Sequence, residues 1–207
     1  MTYRNINYSD FHQQNQSQNR GQDILLGLLG GAVGVMAMDI FSQQIMPMFE
    51  SDDQQQSNGQ QEQSQWQQSD ALDSISVVGK HHRQQESSTA ALGRMVYQWL
   101  TDDEPGQETK SMLSYGVHWG YGIAQGGLYG AWQGENAGYD LGTEVAQGVA
   151  FGTALWLFGD EGIVPMLGLQ KGPTASPLTN HGERLTMHMV YGAATAAATH
   201  ALKQMTT

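Results

Sequence analysis

The sequence predicts an all-α protein. It reads as a four-span transmembrane helical bundle with one amphipathic interfacial helix and a disordered Gln-rich N-terminal tail and first loop. Three observations predict this. Charged residues make up only 14% of the 207 positions, against roughly 25% in soluble domains. Polar residues are gathered before Lys110, whereas long stretches beyond it carry no formal charge. Glycines recur at four-residue spacing inside the apolar stretches, the small-xxx-small pattern of close-packed membrane helices. The mean hydropathy of −0.44 averages over these unlike regions and hides them.

Residues 1–22 form a Gln/Asn-rich tail with too little apolar surface to order itself. The first span, 23–49, opens on Asp23 as an N-cap and carries Asp39 as its lone interior charge. Its Gly27, Gly31 and Gly30, Gly34 form two overlapping GxxxG spacings that let a second backbone approach. Residues 50–87 are a low-complexity Gln-rich loop, and the adjacent His81 and His82 read as solvated. Residues 88–104 place Leu92, Met95, Val96, Trp99 and Leu100 at helical spacing, too short to span and suited to the interface. The second span, 111–134, has Gly116, Gly120, Gly122, Gly126 and Gly130 among tyrosines and tryptophans. The third, 145–169, has Gly148 and Gly152 on one face and is expected to kink near Gly162 and Pro165. The fourth, 184–203, is rich in alanine.

Alternating the spans places ionisable groups on one side. Asp39 lies fifteen residues into the first span, ~22 Å along its axis. His118 stands near the start of the second span, Asp160 and Glu161 stand in the far half of the third, and His188 stands near the start of the fourth. All five fall in the same half of the bundle, leaving Glu144 and His200 as boundary residues of the other half. Intramembrane ionisable groups normally face the interior and pair, so these five form a candidate polar cluster. It could relay protons, hold a cation, or join helices. A divalent metal on His118, His188 and Glu161 is a further alternative, but no close HxxH or ExxH spacing supports it; no cofactor is assigned. More Lys and Arg fall on the cluster's side, which makes that side cytoplasmic by the positive-inside rule.

A net charge of −11 excludes a counterion-releasing nucleic-acid surface. Absence of cysteine removes disulfides and thiolate chemistry, and without GxSxG no nucleophilic enzyme is expected. The polar N-terminus lacks the apolar core of a cleaved signal peptide. The expected partner is the lipid bilayer, with homo-oligomers possible through GxxxG faces; no small-molecule substrate is identified.

YGVHWGYGIAQGGLYG, FGTALWLFGDEGIVPMLGLQKGPTASPL and HMVYGAATAAATHAL together resemble the YagU-like bacterial inner-membrane proteins. The resemblance covers about 24–49 and 88–202, with His118, Gly122, Gly130, Trp156, Asp160, Glu161, Pro165 and His188 matching; the Gln-rich tail and loop lie outside it. It implies a multi-pass inner-membrane protein without established enzyme chemistry, associated with acid-stress tolerance. Three functions are therefore weighed: a non-enzymatic stress-related membrane component, a small proton or cation transporter or channel, and a membrane metal-binding protein.

Overall fold

The computed structural model describes residues 8–48, 76–83, 86–134 and 140–206, and among them every regular element is helical. Helix α1 spans Tyr8–Ile40 and continues through a π-helical turn, Phe41–Ile45, and a 3-10 turn, Met46–Met48. Helix α2 is Ser88–Thr101, α3 is Gln107–Gly134 and α4 is Leu141–Ala154. A π-helical stretch, Leu155–Ile163, links α4 to the short α5, Val164–Met166. After a 3-10 turn, Pro173–Ala175, helix α6 runs from Leu178 to Thr206.

One helical stretch, Arg20–Met48, is long and apolar enough by composition to cross a membrane. The other long helices dilute their apolar residues with Gly, Thr, Gln and His, so length alone does not make them qualify.

Three elements depart from the sequence reading. The first helix begins at Tyr8, well before the Asp23 start, so residues 8–22 are helical where a disordered tail was expected. Gln and Arg are good helix formers, and extending a helix from a packed segment avoids a new nucleation cost. Residues 76–83, expected to be loose loop, are tied to the turn after α5. Val77 N donates to Met166 O (3.0 Å), and His81 N and His82 N both donate to Gly168 O (2.8 and 2.9 Å). Gly168 can turn its carbonyl toward these donors because it takes the chain round at φ +65°. The rest of the expected tail and loop, 1–7, 50–75 and 84–85, lies outside the described residues.

The third difference is the form of the backbone where a kink near Gly162 and Pro165 was expected. No break occurs at Gly162; instead the backbone widens into the π register over Leu155–Ile163, and Val164 N bonds Gly159 O. Pro165 brings no N–H. The Asp160 carbonyl, which a π turn would offer to position 165, accepts instead from Gln170 Nε2 at 2.6 Å.

Glycine makes the bundle core. A methyl added at Gly27 would meet Gly126 O and lie 2.7 Å from Gly130 Cα, and one at Gly31 would lie 2.8 Å from Gly126 Cα. On the neighbouring face, Gly30 and Gly34 receive the Thr199 and Thr195 side chains of α6. Gly148 and Gly152 meet the α6 backbone at Gly192 and His188. α1 is thus clamped between α3 and α6, and α4 packs on the other face of α6. Gly116 and Gly120 behave differently: a Cβ at either meets nothing within 4 Å, so the expected packing there is absent among the described residues.

The apolar distribution is inverted for a water-soluble bundle. Fully buried positions include Tyr129, Gln133, Thr195 and Thr199, while Leu25, Leu29, Leu128 and Phe158 are more than half exposed on the outside.

Candidate functional site: paired imidazoles and carboxylates at one end of the bundle

At the end of the bundle where α1 finishes and α6 begins, helices from distant parts of the chain bring imidazoles to carboxylates. His118 of α3 places Nε2 3.1 Å from Asp39 Oδ1 of α1. His188 of α6 places Nε2 3.8 Å from Asp160 Oδ2 in the π stretch. Glu161 turns away from both and bonds His181, with Oε1 2.7 Å from Nδ1. The five-membered cluster expected from sequence is therefore resolved into pairs, with His181 as an unforeseen member. The π register decides which residue goes where: it turns the consecutive Asp160 and Glu161 toward two different histidines one helical heptad apart on α6.

The hydrogen-bond inventory constrains the protons. A backbone carbonyl accepts only, so the ring nitrogen facing one must carry hydrogen. His181 Nε2 faces Pro173 O at 2.8 Å, and its Nδ1 faces Glu161. Both nitrogens of His181 thus look at acceptors, and the Glu161–His181 pair is satisfied only when it holds an extra proton, on the ring or on the carboxyl. His188 follows the pattern in part: its Nδ1 donates to Arg184 O at 2.8 Å, and its Nε2 stands 3.8 Å from Asp160, an ion-pair separation beyond hydrogen-bond reach.

At the other end of the bundle the arrangement differs. His200 Nδ1 lies 2.9 Å from Glu144 Oε2, while Gln204 Nε2 lies 2.7 Å from His200 Nε2 and can donate to it. A neutral imidazole and an ionised carboxylate satisfy every contact there. Glu144 is 4% exposed, so two residues read as boundary groups form a buried interhelical pair. Lys203 joins α6 to Asp23 of α1 nearby, at 3.1 Å.

A cavity of about 490 Å³ opens among α1, α3, α6 and the π stretch beneath His82 and residues 86–89. His118, Asp160, His188 and Arg184 stand on its wall, and Val35, Met38, Leu155 and Met187 form an apolar part. His82, expected to be solvated, lines it too and holds Gly168 O from Nδ1 at 3.0 Å. Asp39 lies outside this cavity and lines an adjoining recess with His118.

The roof is fixed by a second buried pair that sequence reasoning missed. Arg94 Nε and Nη2 bond the two oxygens of Glu86 at 2.8 and 2.9 Å, and both side chains are under a tenth exposed. These hydrogen bonds from Arg94 hold the Glu86 carboxyl below its usual range. Arg94 sits on the buried side of α2 with Ala91 and Gly93, while Leu92, Val96, Trp99 and Leu100 face out. A charge inside an apolar-periodic helix was the available signal. At the α2–α3 corner, Glu104 accepts from Arg83 and Lys110, which lowers its pKa to about 2.

His118, His188 and Glu161, the metal candidates, are not gathered into one ligand set, and no group of three metal-capable side chains occurs among the described residues.

Among the described residues these features define an all-helical fold with one helix long and apolar enough to cross a membrane, and with a histidine-lined, partly apolar cavity at one end. The chain matches no protein-family model, no curated protein and no solved structure.

Proposed function

We propose that the chain is a multi-pass plasma-membrane protein that handles protons, using its imidazole–carboxylate pairs as loading sites. The observation that carries this reading is His181, whose two ring nitrogens both face acceptors within hydrogen-bond distance, with the His188–Asp160 ion pair 3.8 Å apart seven residues on. On this reading the Glu161–His181 pair stores a proton between α6 and the π stretch rather than on one isolated group. The Asp160–His188 pair lines the cavity beside His118 and Tyr121, so the proton has polar neighbours to move to.

Membrane insertion is supported by length and by the inverted surface. α3 and α6 contain 28 and 29 residues, or ~42 Å of helix, against a hydrocarbon core of about 30 Å. The continuous Leu141–Met166 run and Arg20–Met48 supply the other two crossings. Glycine, threonine and alanine inside with leucine and phenylalanine outside is the packing a lipid solvent favours. Lys80, Arg83, Arg94, Lys110, Lys171 and Arg184 at the cavity end favour that end as the cytoplasmic one by the positive-inside rule. The YagU-like resemblance accords with this reading, and acid tolerance is the setting in which a proton-loading membrane component would serve.

The test is a proton-flux assay in proteoliposomes carrying a pH gradient. Wild-type protein is expected to dissipate the gradient, with Glu161→Gln and Asp160→Asn each slower by about tenfold or more. Equal rates for wild type, both variants and empty vesicles overturn the proposal.

A further inference from the structure

We propose that the cavity is a binding site for a small amphiphilic carboxylate, its head on Arg184 and its tail on the apolar wall. Arg184 lines the cavity and makes one hydrogen bond among the described residues, from Nη1 to Gln170 Oε1 at 3.1 Å. A guanidinium carries five N–H donors in a planar fork that matches a carboxylate. Most of that fork has no protein acceptor among the described residues.

Glu86 is held by two bonds from Arg94, while Asp160 faces His188 and also feels the Arg184 charge. The open side of the Arg184 fork is what selects an anion. Val35, Met38, Leu155 and Met187 select a ligand with a hydrocarbon part. Methionine suits a pocket that accepts tails of differing shape. The volume of about 490 Å³ falls within the range of small-molecule sites. A lone Arg fork with one apolar side fits a monocarboxylate better than a compact inorganic anion, which would leave the apolar wall unused.

The inference uses the same cavity as the proton-handling reading but does not require proton movement. The two are distinguishable: a chain that moves protons and ignores carboxylates refutes only this proposal, and one that binds carboxylates without moving protons refutes only the other.

The experiment is a titration of the full chain, in neutral maltoside micelles, with hexanoate, hexanol, hexylamine, acetate and inorganic phosphate. Hexanoate is expected to bind saturably and about tenfold or more tighter than each of the others. Arg184→Gln is expected to lose that preference, while Arg184→Lys keeps part of it and Asp160→Asn, by removing a nearby negative charge, tightens binding. Hexanol binding as tightly as hexanoate, phosphate competing on equal terms, or unchanged hexanoate affinity in a folded Arg184→Gln protein overturns the assignment. The ligand series on the wild-type chain decides the matter even if Arg184→Gln fails to fold.

Discussion

Replacing Arg94 isolates what one buried pair contributes. Glu86 and Arg94 are each under a tenth exposed, and removing one partner of such a pair strands the other's charge, at a cost of about 3–5 kcal/mol. Arg94→Met is therefore expected to lower unfolding stability by that amount in denaturant titration, whereas the Glu86→Leu/Arg94→Met double variant recovers most of it. A single variant as stable as wild type would mean that the pair is solvated. The corner residue Glu104 gives a pH signature. Its folded pKa of about 2 lies below the ordinary 4.5, so its stabilising contribution is present above about pH 4.5 and disappears as the pH falls toward 2. The melting temperature of wild type should exceed that of Glu104→Gln at neutral pH, and the gap should close across that acid window. Ring-nitrogen NMR checks the proton assignment: His181 and His188 are expected to respond to Glu161→Gln and Asp160→Asn respectively, and His200 to neither. At this scale the sequence carried part of the answer. Counting helical rise put Asp39, His118, Asp160, Glu161 and His188 in one half of the bundle without saying which would pair, because straight helices convert sequence distance into depth. Glu161's partner was not legible, since His181 reaches it only through the Pro173–Ala175 turn and the start of α6.

Helix against helix, the decisive quantity is the space at each glycine. Gly27 and Gly126 approach so closely that a methyl on either meets backbone of the other helix, which cannot retract as a side chain does. Gly126→Ala is expected to destabilise by several kcal/mol, an overpacking penalty at or beyond the usual 1–3 kcal/mol because both walls are main chain. Gly116→Ala and Gly120→Ala meet open space and should stabilise α3 by up to about 1 kcal/mol each through helix propensity. Thermal unfolding in detergent ranks the three, and Gly116→Ala behaving like Gly126→Ala would contradict the packing described. The four-residue spacing revealed that close approaches exist. It could not reveal which stripe is used, because Gly116 and Gly120 read the same as Gly122 and Gly126 until a partner helix is placed.

For the molecule as a whole, absence of native cysteine turns the four-crossing proposal into a clean experiment. Single cysteines introduced at Ser176, beside the cavity, and at Gln204, at the far end of α6, should react with an impermeant maleimide from opposite faces of sealed vesicles. Labelling of both from one face, or recovery of the unlabelled chain in the soluble fraction without detergent, would overturn it. The places of the long helices were readable from uncharged stretches, since a charge inside such a stretch is costly; their lengths were not, as the first begins at Tyr8 and the last runs from Leu178 to Thr206. The anchored segment 76–83 was not, because its order comes from the Met166 and Gly168 carbonyls nearly ninety residues away.

The π stretch has a consequence at the level of the gene. A wide turn is an α-helix with surplus backbone, and loss of a single codon, that of Gly159 for instance, would let the chain relax into ordinary helix. Beside the deletion, Asp160 and Glu161 would turn by about 100° around the helix axis and swing off His188 and His181, while the glycine contacts made outside the stretch, between α1, α3, α4 and α6, would stay intact. Such a variant is expected to keep its thermal unfolding transition and lose the Glu161–His181 contact, an in-frame lesion that separates the scaffold from its polar pairs.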